Sequence, residues 1–205
     1  DGEGHPFNNF FEIVVAPKKI ATVSKAYIGA DNFFTVTLPS DARGLLSVEL
    51  RNTKTHETID IEDLKYTNGK AVIPASMLPA GTYEITNFFI EDKKYGDYSF
   101  VDLPSYVEDD VFAKVNVVYP PITFNKIKSL KKTTKSVTLK VTVGKGTGKN
   151  FKNNKVTFKF NTKTYTRTLN SNGVAKVTIP NKVFKNFKNG KTVNYLVKYF
   201  KKTIK

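Results

Sequence analysis

The chain of 205 residues contains no cysteine and no tryptophan, one methionine and two histidines, and beyond Asp110 it has no carboxylate side chain. Each absence closes a class of function. Without cysteine there is no disulfide, no thiolate metal site and no thiol nucleophile. His5 and His56 stand far apart in sequence and suit exposed polar positions better than a zinc site. No apolar run approaches the roughly 18 residues that cross a bilayer, and the start, Asp1-Gly2-Glu3-Gly4, lacks the features of a signal peptide. The missing acid is the most informative absence. Residues 122–205 hold 21 lysines and one arginine without a single Asp or Glu, whereas residues 1–121 hold 11 basic and 18 acidic residues. The formal charge of +15 therefore joins two unlike halves. A half so one-sided repels itself and attracts anions.

What is present is strand pattern, repeated. In the basic half, Val137, Leu139, Val141 and Val143 alternate with Ser136, Thr138, Lys140 and Thr142, the period of a strand with one buried face. Val156, Phe158 and Phe160 repeat the pattern, as do Ala175, Val177 and Ile179, and then Val193, Tyr195, Val197 and Tyr199. In the acidic half, Phe34, Val36 and Leu38 alternate with Phe33, Thr35 and Thr37, and Leu46, Val48 and Leu50 with Ser47 and Glu49. Turn signals at Asn68-Gly69, Gly144-Lys145-Gly146 and Asn172-Gly173 separate these runs. Short strands at this spacing predict an all-β chain of two tandem immunoglobulin-like antiparallel β-sandwiches. Pro120-Pro121 cannot continue a ladder, so the expected boundary falls there: an acidic domain at 1–121 and a basic one at 122–205. An internal repeat agrees: Asn68-Gly69-Lys70-Ala71, Ile73-Pro74 and Gly81-Thr82 match Asn172-Gly173-Val174-Ala175, Ile179-Pro180 and Gly190-Lys191-Thr192.

These residues carry a family resemblance. Val36-Thr37-Leu38-Pro39-Ser40-Asp41-Ala42 with Gly44, Asn68-Gly69-Lys70-Ala71 and Leu78-Pro79-Ala80-Gly81-Thr82-Tyr83 resemble the immunoglobulin-like repeats of adhesin-like surface proteins from methanogenic archaea. Lys155-Val156-Thr157-Phe158-Lys159, Lys163-Thr164-Tyr165-Thr166 and Lys202-Thr203-Ile204-Lys205 resemble a second repeat type of the same proteins. The resemblance covers most of 20–118 and nearly all of 124–205, and its motifs speak to fold rather than to activity. It implies an extracellular, cell-surface, non-catalytic adhesin-like segment. Two departures stand out. Asn161-Thr162 replaces the usual Asn-Gly after the Phe158 strand, and Asn52–Lys65 is longer and more acidic than the pattern.

Alternation places Lys140, Lys155, Lys159, Lys176 and Lys198 on outward faces, which makes them the candidate polyanion-binding residues. Two readings stay open. In one, these lysines attract an anionic cell-wall or cell-surface glycan or polymer. In the other, they only solvate a structural stalk or spacer. Nucleic acid is disfavoured: no RNA-binding signature is present, lysine stands where guanidinium would read base edges, and Phe151, Phe184, Phe187 and Phe200 are the remaining stacking candidates. Glu108-Asp109-Asp110 is a candidate calcium cluster without EF-hand spacing. Asn116 and Glu49 are weighed for a Lys–Asn amide cross-link but lie on faces opposite their strands' apolar residues. The basic half offers no His, Cys, Asp or Glu as a base, so no enzyme, metal site or cofactor is expected; a glycan-cleaving site would need paired carboxylates converging in the first half.

Overall fold

The computed structural model describes residues 19–99, 111–125, 127 and 129–205. Among these residues the regular elements are β-strands and short 3-10 turns. β-branched and aromatic residues at alternate positions favour that outcome, because they fit a pleated, half-buried surface. The chain groups into two compact units. The described residues of the first come from Asp1–Ser24, Phe33–Ile73 and Thr82–Val115; the second comprises Lys25–Asn32, Pro74–Gly81 and Asn116–Lys205.

In the first unit, β1 (Lys19–Thr22), β3 (Asn32–Thr37) and β6 (Lys70–Pro74) form one sheet in the order β1-β3-β6. A second sheet orders β9 (Ala113–Val118), β7 (Gly81–Asp92), β4 (Gly44–Asn52) and β5 (Thr58–Lys65) as β9-β7-β4-β5, with β8 (Tyr98–Ser99) also paired to β7. Leu46, Val48 and Leu50 are buried as their alternation requires, and Phe34 of β3 meets Phe88 of β7 with ring centroids 5.4 Å apart. Alternation fails at the start of β3, where Phe33 is buried beside Phe34. Both faces of that strand end are covered, which a period of two does not foresee. Asn68 and Gly69, at φ 51° and 70°, make the two-residue hairpin that their sequence announced, closed by the Thr67–Lys70 bridge.

In the second unit, β10 (Ile122–Phe124), β11 (Ser136–Val143) and β14 (Val174–Pro180) form a three-stranded sheet in the order β10-β11-β14. β12 (Lys155–Phe160), β13 (Lys163–Thr168), β15 (Tyr195–Tyr199) and β16 (Lys202–Ile204) form a four-stranded sheet in the order β13-β12-β15-β16. All pairings within these two sheets are antiparallel. Leu139, Val141, Val177 and Ile179 from one sheet and Val156, Phe158, Phe160, Val197 and Tyr199 from the other share a single core. Burying each such side chain contributes about 1.5–3 kcal/mol. A three-on-four antiparallel sandwich of this kind is immunoglobulin-like. β15 starts at Tyr195, two residues later than the alternation from Val193 predicts.

The two units share their strand orders: β1-β3-β6 corresponds to β10-β11-β14, and β5-β4-β7 to β13-β12-β15. They share a corner as well. β6 ends at Pro74 and β14 at Pro180, and each runs directly into a 3-10 turn, Ala75–Met77 or Asn181–Val183. Proline fits this junction because its fixed φ suits the residue before the turn and it has no N–H for a ladder to need. Leu38 N–H donates to Gly69 O at 2.7 Å, and Val143 N–H to Gly173 O at 2.8 Å. Gly173 has φ +67°, and a Cβ there would lie 2.2 Å from Val143 O, so no other residue fits without displacing the neighbouring strand.

A short piece of the first half completes the second unit. β2 (Lys25–Tyr27) pairs in parallel with the end of β9, Lys25 opposite Asn116 and Tyr27 opposite Val118. In the loop that follows, Ile28 O accepts the buried Tyr199 hydroxyl at 3.0 Å, and Asn154 Nδ2 donates to Gly29 O at 2.6 Å and to the Tyr199 oxygen at 3.0 Å. Burial pushes the Tyr199 phenol up to about 12, against the opposing effect of the Asn154 hydrogen bond. Gly29 permits this approach: its φ is +90°, and a Cβ would sit 2.1 Å from the Tyr199 oxygen.

Candidate polyanion-binding surface

Lys140, Lys155, Lys159, Lys176 and Lys198 are all exposed. Strand parity places them outward because their neighbours Leu139, Val141, Val156, Phe158, Val177 and Val197 fill the core. The sandwich divides the five between two faces. On the three-stranded sheet, Lys140 lies directly opposite Lys176 in the β11–β14 register. Beside them Thr138 faces Thr178, with hydroxyl oxygens 3.3 Å apart. Asn125 clips the edge of this face: its Nδ2 donates to Thr138 O at 2.9 Å and its Oδ1 accepts the Lys140 N–H at 2.5 Å.

On the four-stranded sheet, Lys155, Thr157 and Lys159 form the outer row of β12, and Lys198 of β15 lies opposite Thr157. Diagonal neighbours across adjacent strands are roughly 7–8 Å apart, so Lys198 is close to both other lysines. Thr168, Thr166 and Thr164 of β13 lie opposite Lys155, Thr157 and Lys159, and Thr203 of β16 opposite Lys198. The result is a triangle of lysine positions set among threonines, whose hydroxyls can donate or accept. The structure therefore yields a lysine pair and a lysine triangle on separate faces rather than one five-residue site.

The charge balance of the second unit is more extreme than its sheets alone display. Its segments hold the 22 basic residues of 122–205 together with Lys25, against one carboxylate, Asp31. That carboxylate is engaged: it pairs with Lys149 at 2.8 Å and accepts the Tyr27 N–H at 2.9 Å. Sequence reasoning missed Asp31, whose ion-pair partner Lys149 lies far along the chain, and Asn125, which acts across the β10–β11 pairing.

The other candidates disperse. Phe151 and Phe184 are buried in the second core, Phe187 is half-buried against it, and Phe200 is exposed in the turn between β15 and β16. Glu49 and Asn116 are exposed, and Glu49 accepts the Thr86 hydroxyl at 2.5 Å. His5 and Glu108-Asp109-Asp110 lie outside the described residues. Among the described residues no three His, Cys, Asp or Glu side chains gather as metal ligands, and no helix is long and apolar enough to cross a membrane. Asp92 is the one buried charged side chain among them, and its role is architectural: it accepts the N–H groups of Arg43, Lys94 and Tyr95 at 2.7, 2.9 and 3.0 Å.

No family model and no curated protein matches this chain. Solved structures do align with it. A Ca2+-stabilized adhesin that helps an Antarctic bacterium reach out and bind ice is 18% identical over 88% of this chain and 43% of its own, with a TM-score of 0.28. The FN1–FN3 domains of chicken CNTN1 are 13% identical over 89% of this chain and 57% of theirs, also with a TM-score of 0.28. A 1.5-MDa bacterial ice-binding adhesin, described for its retention on the host cell surface, is 15% identical over 88% and 57%, with the same TM-score of 0.28. The chain spans about half the length of these structures. At this level of superposition the matches carry no argument about activity. The class rests on the chain's own strand orders, those of an immunoglobulin-like β-sandwich protein.

Proposed function

We propose that the chain is a non-catalytic, extracellular, adhesin-like segment of a cell-surface protein of the methanogen type, built of two tandem modules, 1–121 and 122–205. The second module attracts anionic wall or surface polymers. The observation that carries this reading is the charge of the second unit, 23 basic residues against the already paired Asp31. A polymer with closely spaced negative groups can engage the Lys155, Lys159 and Lys198 triangle together with neighbouring turn lysines, each contact weak and the sum strong. Selectivity among such polymers is low, because ammonium groups act as point charges.

The second reading, a structural spacer, draws on the division of the lysines between two faces: charge spread all round a body also serves solubility. Co-sedimentation of the whole chain with isolated anionic wall polymer separates the two. We expect binding at 0.01 M salt, where the Debye length is about 30 Å, and its steep loss by 0.3 M. We expect K155E/K159E/K198E to weaken it more than the same number of charge reversals in the first module. Absence of binding at low salt would favour the spacer.

A further inference from the structure

A cavity of about 660 Å3 lies within the second unit, between the segment that follows β10 and the segment that precedes β15. Its floor is aromatic: Phe160 and Phe184 belong to the core, while Phe187 and Tyr195 remain half-exposed. Lys131, Lys132, Lys188 and Lys191 complete its lining. The walls are tied in place. Tyr195 Oη accepts the Ile127 N–H at 2.6 Å, and Asn181 Nδ2 donates to the carbonyls of Lys132 and Thr134, both at 2.7 Å. Lys191 Nζ stands 4.7 Å from the centroid of the Phe187 ring, so cation and aromatic surface are already side by side.

We propose that this cavity binds an acidic saccharide, a pyranose unit carrying a carboxylate or sulfate group. Its volume falls in the range of roughly 300–1,000 Å3 that small-molecule sites occupy. The half-exposed rings call for a ligand with an apolar face, and the C–H face of a pyranose supplies one. The four lysines call for negative charge, and residues 122–205 contain no carboxylate to compete for them. A purely apolar ligand would leave the ammonium groups unmatched, and a bare inorganic polyanion would leave the aromatic floor unused. A nucleotide would offer charge and a π-face, but lysine lacks the planar fork that grips phosphate in two places and reads base edges. Asn189 and Thr192, which also line the cavity, offer hydrogen bonds to sugar hydroxyls. The proposal deepens the reading above and rests on it for the sign of the ligand's charge, but it concerns residues other than those of the sheet faces.

The test is NMR shift mapping and calorimetry on the full chain with four-unit oligogalacturonate, a sulfated heparin tetrasaccharide, neutral cellotetraose, tripolyphosphate and a uridylate tetramer. Acidic tetrasaccharides should shift the amides of 129–132 and 187–195 and bind at least about tenfold more tightly than the other three probes, a gap of roughly 1.4 kcal/mol. The tighter of the two acidic probes identifies the acid group. F187A should remove that preference; K188A/K191A, confined to exposed side chains, tests the same point if F187A does not fold. K155E/K159E/K198E should leave the cavity shifts in place. Shifts confined to the sheet faces, or tripolyphosphate or uridylate matching the saccharides, would overturn the proposal. In either case salt-sensitive polymer binding would still stand or fall on its own.

Discussion

Lys140 and Lys176 face each other across β11 and β14, an arrangement that stability alone would not select, and K176E tests what it costs. Two ammonium groups about 7 Å apart repel by about 0.6 kcal/mol in water without salt. A Debye length of about 8 Å near 0.15 M salt reduces this to roughly 0.25 kcal/mol. Glu at 176 turns the repulsion into an attraction of similar size, for a gain of about 1.2 kcal/mol at low salt and about 0.5 kcal/mol at 0.15 M. In 1 M salt, where the Debye length is about 3 Å, almost nothing should remain. Thermal unfolding reads these values as a rise of roughly 5–10 °C at low salt and 2–4 °C at 0.15 M for a unit of this size. Affinity for an anionic polymer should fall in the same variant. A gain that persists in 1 M salt, or that is equally large in a K140Q background, would refute the argument, because the pair would not be its source.

Four further outcomes follow from the packing. Y199F deprives Ile28 O of its donor and Asn154 of an acceptor, and should destabilise the second unit by about 1–2 kcal/mol in chemical denaturation. The Tyr199 phenol titrates near 12 in the fold against 10.0 ordinarily, so between those values the unfolded chain loses the proton first. Stability should therefore decline as pH rises from 10 to 12, and Y199F should make that decline shallower. G173A, which places a Cβ against Val143 O at positive φ, should cost about 1–3 kcal/mol by the same measurement. D92A leaves three N–H groups of the first unit without their acceptor and should cost about 3 kcal/mol, with D92N recovering part of it; an unchanged unfolding midpoint would contradict the capping role.

Alternation was enough to separate inside from outside along β4, β11, β12 and β14, and the Asn68-Gly69 dipeptide marked its hairpin, because these depend on neighbours in sequence. Parity could not assign strands to sheets. It placed five lysines outward, but not on two faces, since that follows from which strands pair. The opposition of Lys140 and Lys176 needs a register between strands more than thirty residues apart. Phe33 defeated parity because a strand end can be covered on both sides. The cavity was the least legible feature: Phe187 read as one stacking candidate among four and the lysines of 131–132 and 188–191 as corner and turn residues, and only the fold sets the two segments facing each other.

The bond from Tyr199 to Ile28 joins positions 171 residues apart, and that from Asn154 to Gly29 spans 125. Closing such separations is slow relative to forming hairpins. On a ribosome, the stretch around Gly29 emerges long before its partners exist. It has to wait, unoccupied, until the carboxyl-terminal strands are made. The latch should thus close only after the strands around Tyr199 have formed, and severing the polypeptide at Pro121 would strand a fragment deprived of this fastening.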